Sequence, residues 1–187
     1  VAGWRGVYFC AALLMLALAG LLWKRLPVLP APWQAMRYAR LLASLPVLLR
    51  EERALQIRGV LALLMFAVFN IFWSAMVLPL SAPPHGLSHT AIGAFGLVGA
   101  MGALAAARAG QWADRGHGQR TSLAALMLLL VAWWPLSQLQ VSLWALAAGV
   151  VLLDLGGQAL HVTNQSLIFR NRPQVHSRLV SLYMLFY

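Results

Sequence analysis

The chain is a succession of long apolar stretches separated by short polar ones. Windows of about 19 residues are apolar over residues 5 to 23, 57 to 80, 89 to 108, 121 to 138 and 141 to 168, and an apolar stub begins at 179. Each complete stretch comes close to the roughly 20 residues that a helix needs to cross a bilayer. None alternates over about 10 residues, as a barrel strand would. The pattern predicts an all-α polytopic membrane protein with five complete transmembrane helices and a truncated sixth.

Composition agrees with a membrane location. Of 187 residues, 61% are hydrophobic and 10% are charged, against roughly 25% charged in a typical soluble domain. The net charge of +10 does not indicate a nucleic-acid partner, because the basic residues lie between apolar runs and not over one solvated face. The lipid bilayer is the expected surrounding. The lone Cys10 excludes disulfides within the chain.

The Lys and Arg residues are distributed unequally between the connections. All except Arg5 lie in or beside the first, third and fifth connections, and the second and fourth connections have none. The positive-inside rule therefore places the odd-numbered connections in the cytoplasm.

The first connection is long and basic, and it separates the chain into three parts. We expect residues 1–23 to form a transmembrane helix, residues 24–56 a cytoplasmic amphipathic connector, and residues 57–187 a partial C-terminal transmembrane bundle. Arginines alternate with leucines in the connector, which predicts short amphipathic helices on the inner leaflet, broken at Pro46.

The third connection carries a recognisable motif. Its sequence GQWADRGHGQR contains Gly110, Asp114, Arg115, Gly118 and Arg120. This pattern resembles the signature loop of the major facilitator superfamily, which occurs between the second and third helices and again between the eighth and ninth. The chain departs from the pattern at His117, where the family has glycine three residues after the aspartate.

The order of elements indicates which copy of the loop is present. One helix, a long basic connector and two more helices precede the loop, as the sixth, seventh and eighth helices of that family would. The segment NQSLIFRNRPQVHSRLVSLYM is also similar to the tenth-to-eleventh junction of its bacterial efflux-type members. The resemblance implies a C-terminal-half fragment of a transporter, a partial helix bundle spanning the sixth to eleventh helices. It further implies a multi-pass protein of the cell membrane, in bacteria the inner membrane.

The resemblance also implies a role for the loop. In the family this loop is a latch that holds the cytoplasmic side closed, and its partner helix would belong to the missing N-terminal half. Within this chain, we expect Asp114 to pair with Arg170 or Arg172. Gly116 and Gly118 would permit the turn. The alternative is an ordinary positive-inside turn with a solvated aspartate.

A second polar pattern lies inside the last complete apolar stretch. Asp154, Gln158, His161 and Gln165 are spaced four, three and four residues apart, so a helix places them within about 60° of one another. Asp154 precedes Arg170 by 16 residues, about 24 Å of helix, and an acid at such depth indicates a functional site. With Asn70 these residues form a candidate pathway for substrate or protons. Alternatively, they are hydrogen-bonding groups that hold the bundle together.

Three functions fit this sequence to different extents. A secondary carrier accounts for the topology, the loop and the polar stripe, and the resemblance implies export of a small molecule in exchange for protons, an antiport. A non-transporting remnant, or a membrane interaction or assembly protein, is the alternative. An enzyme is not expected, because no set of His, Asp and Glu suggests a nucleophile or a metal centre. We therefore expect no cofactor and no metal.

Overall fold

Helices make up all of the regular secondary structure in the part of the chain that is described. A computed structural model describes residues 3–27, 38–99, 102–170 and 173–187. The α-helices within these ranges are α1 (Gly3–Arg25), α2 (Tyr38–Glu51), α3 (Arg53–Ala75), α4 (Val77–Ser81), α5 (His89–Gly99), α6 (Gly102–Trp112), α7 (Gly118–Ser137), α8 (Leu143–Phe169) and α9 (His176–Met184).

Several of these helices are long and apolar enough to cross a membrane. Among the described residues, four such stretches are Arg5–Arg25, Arg53–Ser81, Ala105–Ser137 and Leu143–Phe169. The prediction of an all-α polytopic membrane protein is confirmed. The predicted span 89–108 corresponds to α5 and α6, and residues 100 and 101 between them lie outside the described residues.

The stretch Ala105–Ser137 contains a reversal of direction. Gly110 of α6 lies against Val162 of α8, and Gly102 lies against Asp154, so α6 runs parallel to α8. The opposite order holds for α7, whose start contacts the end of α8 at Leu167. Helices α6 and α7 are therefore antiparallel, and the stretch consists of most of α6 and all of α7, joined by a turn.

Helix α8 is the centre of the bundle. Helices α3, α5, α6, α7 and α9 all contact it. Its glycines allow close approach: a Cβ on Gly156 would lie 3.0 Å from the carbonyl oxygen of Ala125 in α7, and one on Gly157 would lie 2.5 Å from the ring of Phe69 in α3. Small residues at helix contacts are how membrane bundles gain van der Waals packing.

Residues 1–40 and 41–187 form separate compact units. In the first unit, the side chains of α1 from Val7 to Trp23 are exposed along the whole helix, and most of them are apolar. A helix that is apolar on all sides is typical of one surrounded by lipid or by other membrane helices.

Helix α2 corrects one expectation from the sequence. The predicted break at Pro46 is wrong, because α2 continues through Pro46 to Glu51. Leu48 is buried in one cluster with Leu55 of α3 and Leu179 of α9. Proline removes one backbone N–H donor and crowds the carbonyl four residues earlier, and the packing of Leu48 offsets that cost. The backbone leaves helical geometry at Glu52 instead.

Candidate functional site

The turn between α6 and α7 is built around one glycine. Gly116 has a φ of +90°, a left-handed conformation that favours glycine. Gly118 has a φ of −54° and begins α7, so the expectation that it permits the turn is wrong. Its role is steric, because a Cβ there would lie 2.7 Å from a methyl carbon of Leu167. Gly110 likewise leaves room for Val162, 3.2 Å from the position of a Cβ.

Asp114 connects this turn to the end of α8. Its Oδ1 accepts a hydrogen bond of 2.6 Å from the hydroxyl of Ser166. Among the described residues Asp114 forms no ion pair with Arg170, and the other expected partner, Arg172, lies outside them. The aspartate therefore joins two parts of the same bundle through a neutral donor.

The basic residues of the turn line a cavity of their own. Arg115, His117 and Arg120 surround a space of about 420 Å³ beside Trp112. Arg115 and Arg120 are exposed, as is Asp114. The two arginines outnumber the one aspartate, so the exposed turn carries a net positive charge.

Asp154 lies at the contact between α8 and the helices α5 and α6. The side chain is 7% exposed. Its Oδ2 faces Gly99, and its Cβ faces Gly102, where a further Cβ would lie 2.8 Å away. Among the described residues, Oδ2 is one of two buried side-chain atoms without a hydrogen-bond partner. Two glycines thus make room for a carboxyl group with one oxygen that no described residue bonds.

His161 lies two turns further along α8 and faces different neighbours. Its Nε2 lies 3.2 Å from Nε2 of Gln165, and its Nδ1 lies 3.2 Å from the hydroxyl of Tyr183 in α9. The rings of Phe66, Tyr183 and Tyr187 surround the imidazole at centroid distances of 5.2 to 5.7 Å. Both ring nitrogens therefore have polar neighbours in an otherwise aromatic setting.

The remaining candidates are not joined to these groups by hydrogen bonds among the described residues. Gln158 lies between Asp154 and His161 along the face and is exposed. Asn70 is exposed as well, and its Nδ2 donates to the carbonyl of Phe66 in its own helix. Of the predicted stripe, the structure directly connects only His161 with Gln165.

Sequence reasoning missed a largely buried cluster centred on Arg58 of α3. The guanidinium is 7% exposed. Its Nη1 donates to Ser122 of α7 at 2.6 Å and to Asn164 of α8 at 3.2 Å, and its Nη2 donates to Gln119 at 2.8 Å. We define Arg58, Gln119, Ser122 and Asn164 as the Arg58 cluster. The sequence did contain a sign of this cluster. Arg58 lies inside the apolar stretch 57 to 80, and a charged residue within a membrane segment usually has polar partners there.

The chemistry available in these sites is that of hydrogen bonds and proton exchange. Among residues 3–27, 38–99, 102–170 and 173–187, no group of three His, Cys, Asp or Glu side chains is placed to hold a metal ion. The acid, the histidine and the arginine instead lie at different contacts around α8. Asp154 lies against α5 and α6, His161 against α3 and α9, and Arg58 between α3, α7 and α8.

Fold and site together define an all-α polytopic membrane protein with buried polar groups inside its helices. No family model matches the chain, and no solved structure matches it. Two Escherichia coli proteins, from strain K12 and from O157:H7, are both named uncharacterized transporter YgaY and are 39% identical to it over 185 residues. The match covers 99% of this chain and 47% of each relative, so the chain spans about half the length of the curated relatives it matches.

Proposed function

We propose that the chain is one half of a secondary active transporter of the major facilitator type, which exports a small molecule in exchange for protons. The similarity to proteins named as transporters extends over nearly the whole chain. In carriers of this class, two halves move against each other around a site near the bilayer midplane. In the relatives, the other half would correspond to the part of their sequence that this chain does not match.

One observation carries the proposal: the buried carboxyl of Asp154 inside a membrane-spanning helix. An acid in such a position is costly and is typical of an ion or substrate pathway. Its Oδ2 has no hydrogen-bond partner among the described residues. A carboxyl whose role was purely structural would be expected to have its oxygens hydrogen-bonded. A proton exchanged at this oxygen when α5 and α6 separate from α8 would couple helix movement to proton flow.

Gln158 extends this pathway to an open surface. It lies four residues after Asp154, about 6 Å along the helix axis, and it is exposed. His161 and Gln165 continue the same face toward the end of α8. We assign this face to the wall of the central cavity, opposite the second half, and we assign Asn70 to the neighbouring wall formed by α3.

The hydrogen bond between Asp114 and Ser166 is the proposed latch on the cytoplasmic side. It joins the α6–α7 turn to the end of α8, and both residues lie at the surface. A partly exposed polar contact contributes on the order of 1 kcal/mol, enough to bias a conformational equilibrium about fivefold. Arg115 and Arg120 keep the turn in the cytoplasm, and Arg170 and Arg172 remain candidate partners in another conformation.

The deciding experiment is Asp154→Asn in the full-length protein. The amide has the size of the carboxyl but does not titrate, so gradient-driven transport should be lost while substrate binding or exchange remains. Glu51→Gln is the matched control, because it removes an exposed acid at the end of α2. Undiminished uphill transport by the Asn variant would reduce Asp154 to a packing role. Absence of any transport or binding by the unaltered protein would favour a membrane interaction or assembly role.

A further inference from the structure

A continuous groove runs between α3 and α7. It consists of two cavities of about 480 and 260 Å³, which share Leu61 of α3 and Leu126 of α7. Both helices pack on α8, which contributes Leu160 and Leu167 to the lining. The groove is therefore a surface feature of the bundle with α8 behind it.

One end of the groove is lined by polar side chains that hydrogen bonds hold in place. Arg58, Gln119 and Ser122 line the larger cavity. A guanidinium has five N–H groups, and Arg58 uses three hydrogen bonds to hold its position within the Arg58 cluster. Within the described part of the chain, two donors of Arg58 remain for a further acceptor. Gln119 turns its Oε1 toward Arg58, which leaves its amide nitrogen available beside them.

The charge of Arg58 is not compensated by the side chains that bind it. Its side-chain hydrogen bonds to the residues that the structure describes all end on neutral hydroxyl or amide oxygens. Taking a cation out of water is costly, and an anion that is well placed and hydrogen-bonded offsets part of that cost. The polar end of the groove is therefore complementary to an anion with several acceptor oxygens, such as a phosphate.

The rest of the groove is apolar and has a specific length. From Arg58 to Val68 it follows ten residues of α3, about 15 Å. That is about half of a hydrocarbon core of roughly 30 Å, the depth of one leaflet. Exposed leucines, among them Leu64, Leu126 and Leu130, form its sides, and Trp133 lies at its far end.

We propose that this groove binds an anionic phospholipid, with the headgroup phosphate on Arg58 and Gln119 and one acyl chain between α3 and α7. Basic pockets between membrane helices hold anionic headgroups in this way. The lipid would supply the counter-charge that the described residues do not give Arg58. The site is distinct from the face of α8 that carries Asp154 and Gln158.

Native mass spectrometry of the purified chain, titrated with phosphatidylglycerol or phosphatidylcholine, tests the proposal. Phosphatidylglycerol should bind at least tenfold more tightly, and Arg58→Gln should remove about tenfold of that affinity. Arg53→Gln is the matched control, because Arg53 is an exposed arginine at the start of the same helix, and it should change binding less than twofold. Equal binding of both lipids, or an equal loss in both arginine variants, would overturn the proposal.

A second variant keeps the test valid if Arg58→Gln does not fold. Leu126→Trp fills the shared part of the groove from a partly exposed position, so it should lower phosphatidylglycerol binding without touching any charge. A photoreactive amino acid at Leu126 in native membranes of cells carrying the full-length protein should capture lipid. Capture of a polypeptide segment instead, or unchanged binding by Leu126→Trp, would show that the groove is not a lipid site.

Discussion

The substitution Gly102→Ala tests the contact between α6 and α8 that buries Asp154. A Cβ at this position would lie 2.8 Å from the Cβ of Asp154 and 2.9 Å from its backbone carbonyl carbon and oxygen. Carbon atoms prefer separations of about 3.5 to 4.0 Å, so Gly102→Ala requires α6 and α8 to separate by roughly 0.7 Å. Two of the three close atoms belong to the backbone, and no side-chain rotation can relieve them.

The expected magnitude follows from two opposing effects. Overpacking of this kind costs about 1 to 3 kcal/mol, and alanine regains at most about 1 kcal/mol of helix propensity over glycine. That gain is small at Gly102, which is the first described residue of α6. Gly96→Ala in α5 is the matched control, because a Cβ there has no neighbour within 4 Å. We expect the two variants to differ by about 2 kcal/mol in unfolding free energy, with Gly102→Ala the less stable.

The measurement is unfolding by sodium dodecyl sulfate in mixed micelles, followed by far-ultraviolet circular dichroism. The midpoint for Gly102→Ala should decrease, and that for Gly96→Ala should stay the same or increase. A Gly102→Ala protein as stable as the Gly96→Ala protein would refute the close approach of α6 to α8, and with it the enclosure of Asp154.

Three further predictions concern the turn, the histidine and the orientation. Gly116→Ala should cost about 1 to 2 kcal/mol in the same unfolding assay, because its φ of +90° disfavours a side chain. Tyr183→Phe should cost about 1 kcal/mol, because it removes the hydroxyl beside Nδ1 of His161 and keeps the ring. In a background without the native cysteine, Ser81→Cys should react with an impermeant thiol reagent added to intact cells, and His117→Cys should react only after permeabilisation.

Each of these has a matched control or a contrary outcome. Gly93→Ala, at a helical glycine with no neighbour near its Cβ, should not destabilise, so an equal loss in both glycine variants would count against the turn. Tyr187→Phe removes a hydroxyl from the same aromatic group without touching that hydrogen bond, and it should be close to neutral. The reverse labelling pattern would invert the orientation of the bundle.

The membrane-spanning helices could be predicted from the sequence because lipid offers no hydrogen-bond partners to the backbone. Every backbone polar group must bond within its own helix, so length and hydropathy alone define the elements. The window 141 to 168 became α8 at Leu143–Phe169, and the window 121 to 138 became α7 at Gly118–Ser137. The break expected at Pro46 failed because tertiary packing at Leu48, which no local pattern encodes, outweighed the proline.

The contacts of the polar residues were less predictable, because they depend on which neighbours the helices meet. The stripe from Asp154 to Gln165 shares one face, as spacing predicts, yet Asp154 meets α6 whereas His161 meets α3 and α9. Arg58 was counted only as a marker of orientation, since its partners in α7 and α8 are 61 to 106 residues away in sequence. Contacts between residues so far apart produce no periodic pattern in the sequence from which they could be predicted.

Because α8 is central, a single movement of this helix would affect all of its polar contacts. Within 13 residues of α8, about 18 Å from first to last, lie the buried acid Asp154, His161 with its aromatic neighbours, Asn164 of the Arg58 cluster and Ser166, which bonds Asp114. If this helix translates as a rigid rod by 1 Å, roughly a third of a hydrogen-bond length, all four contacts change at once. If a change at one of these contacts shifts the equilibrium at another, thermodynamic reciprocity requires the second to shift the first by the same coupling free energy.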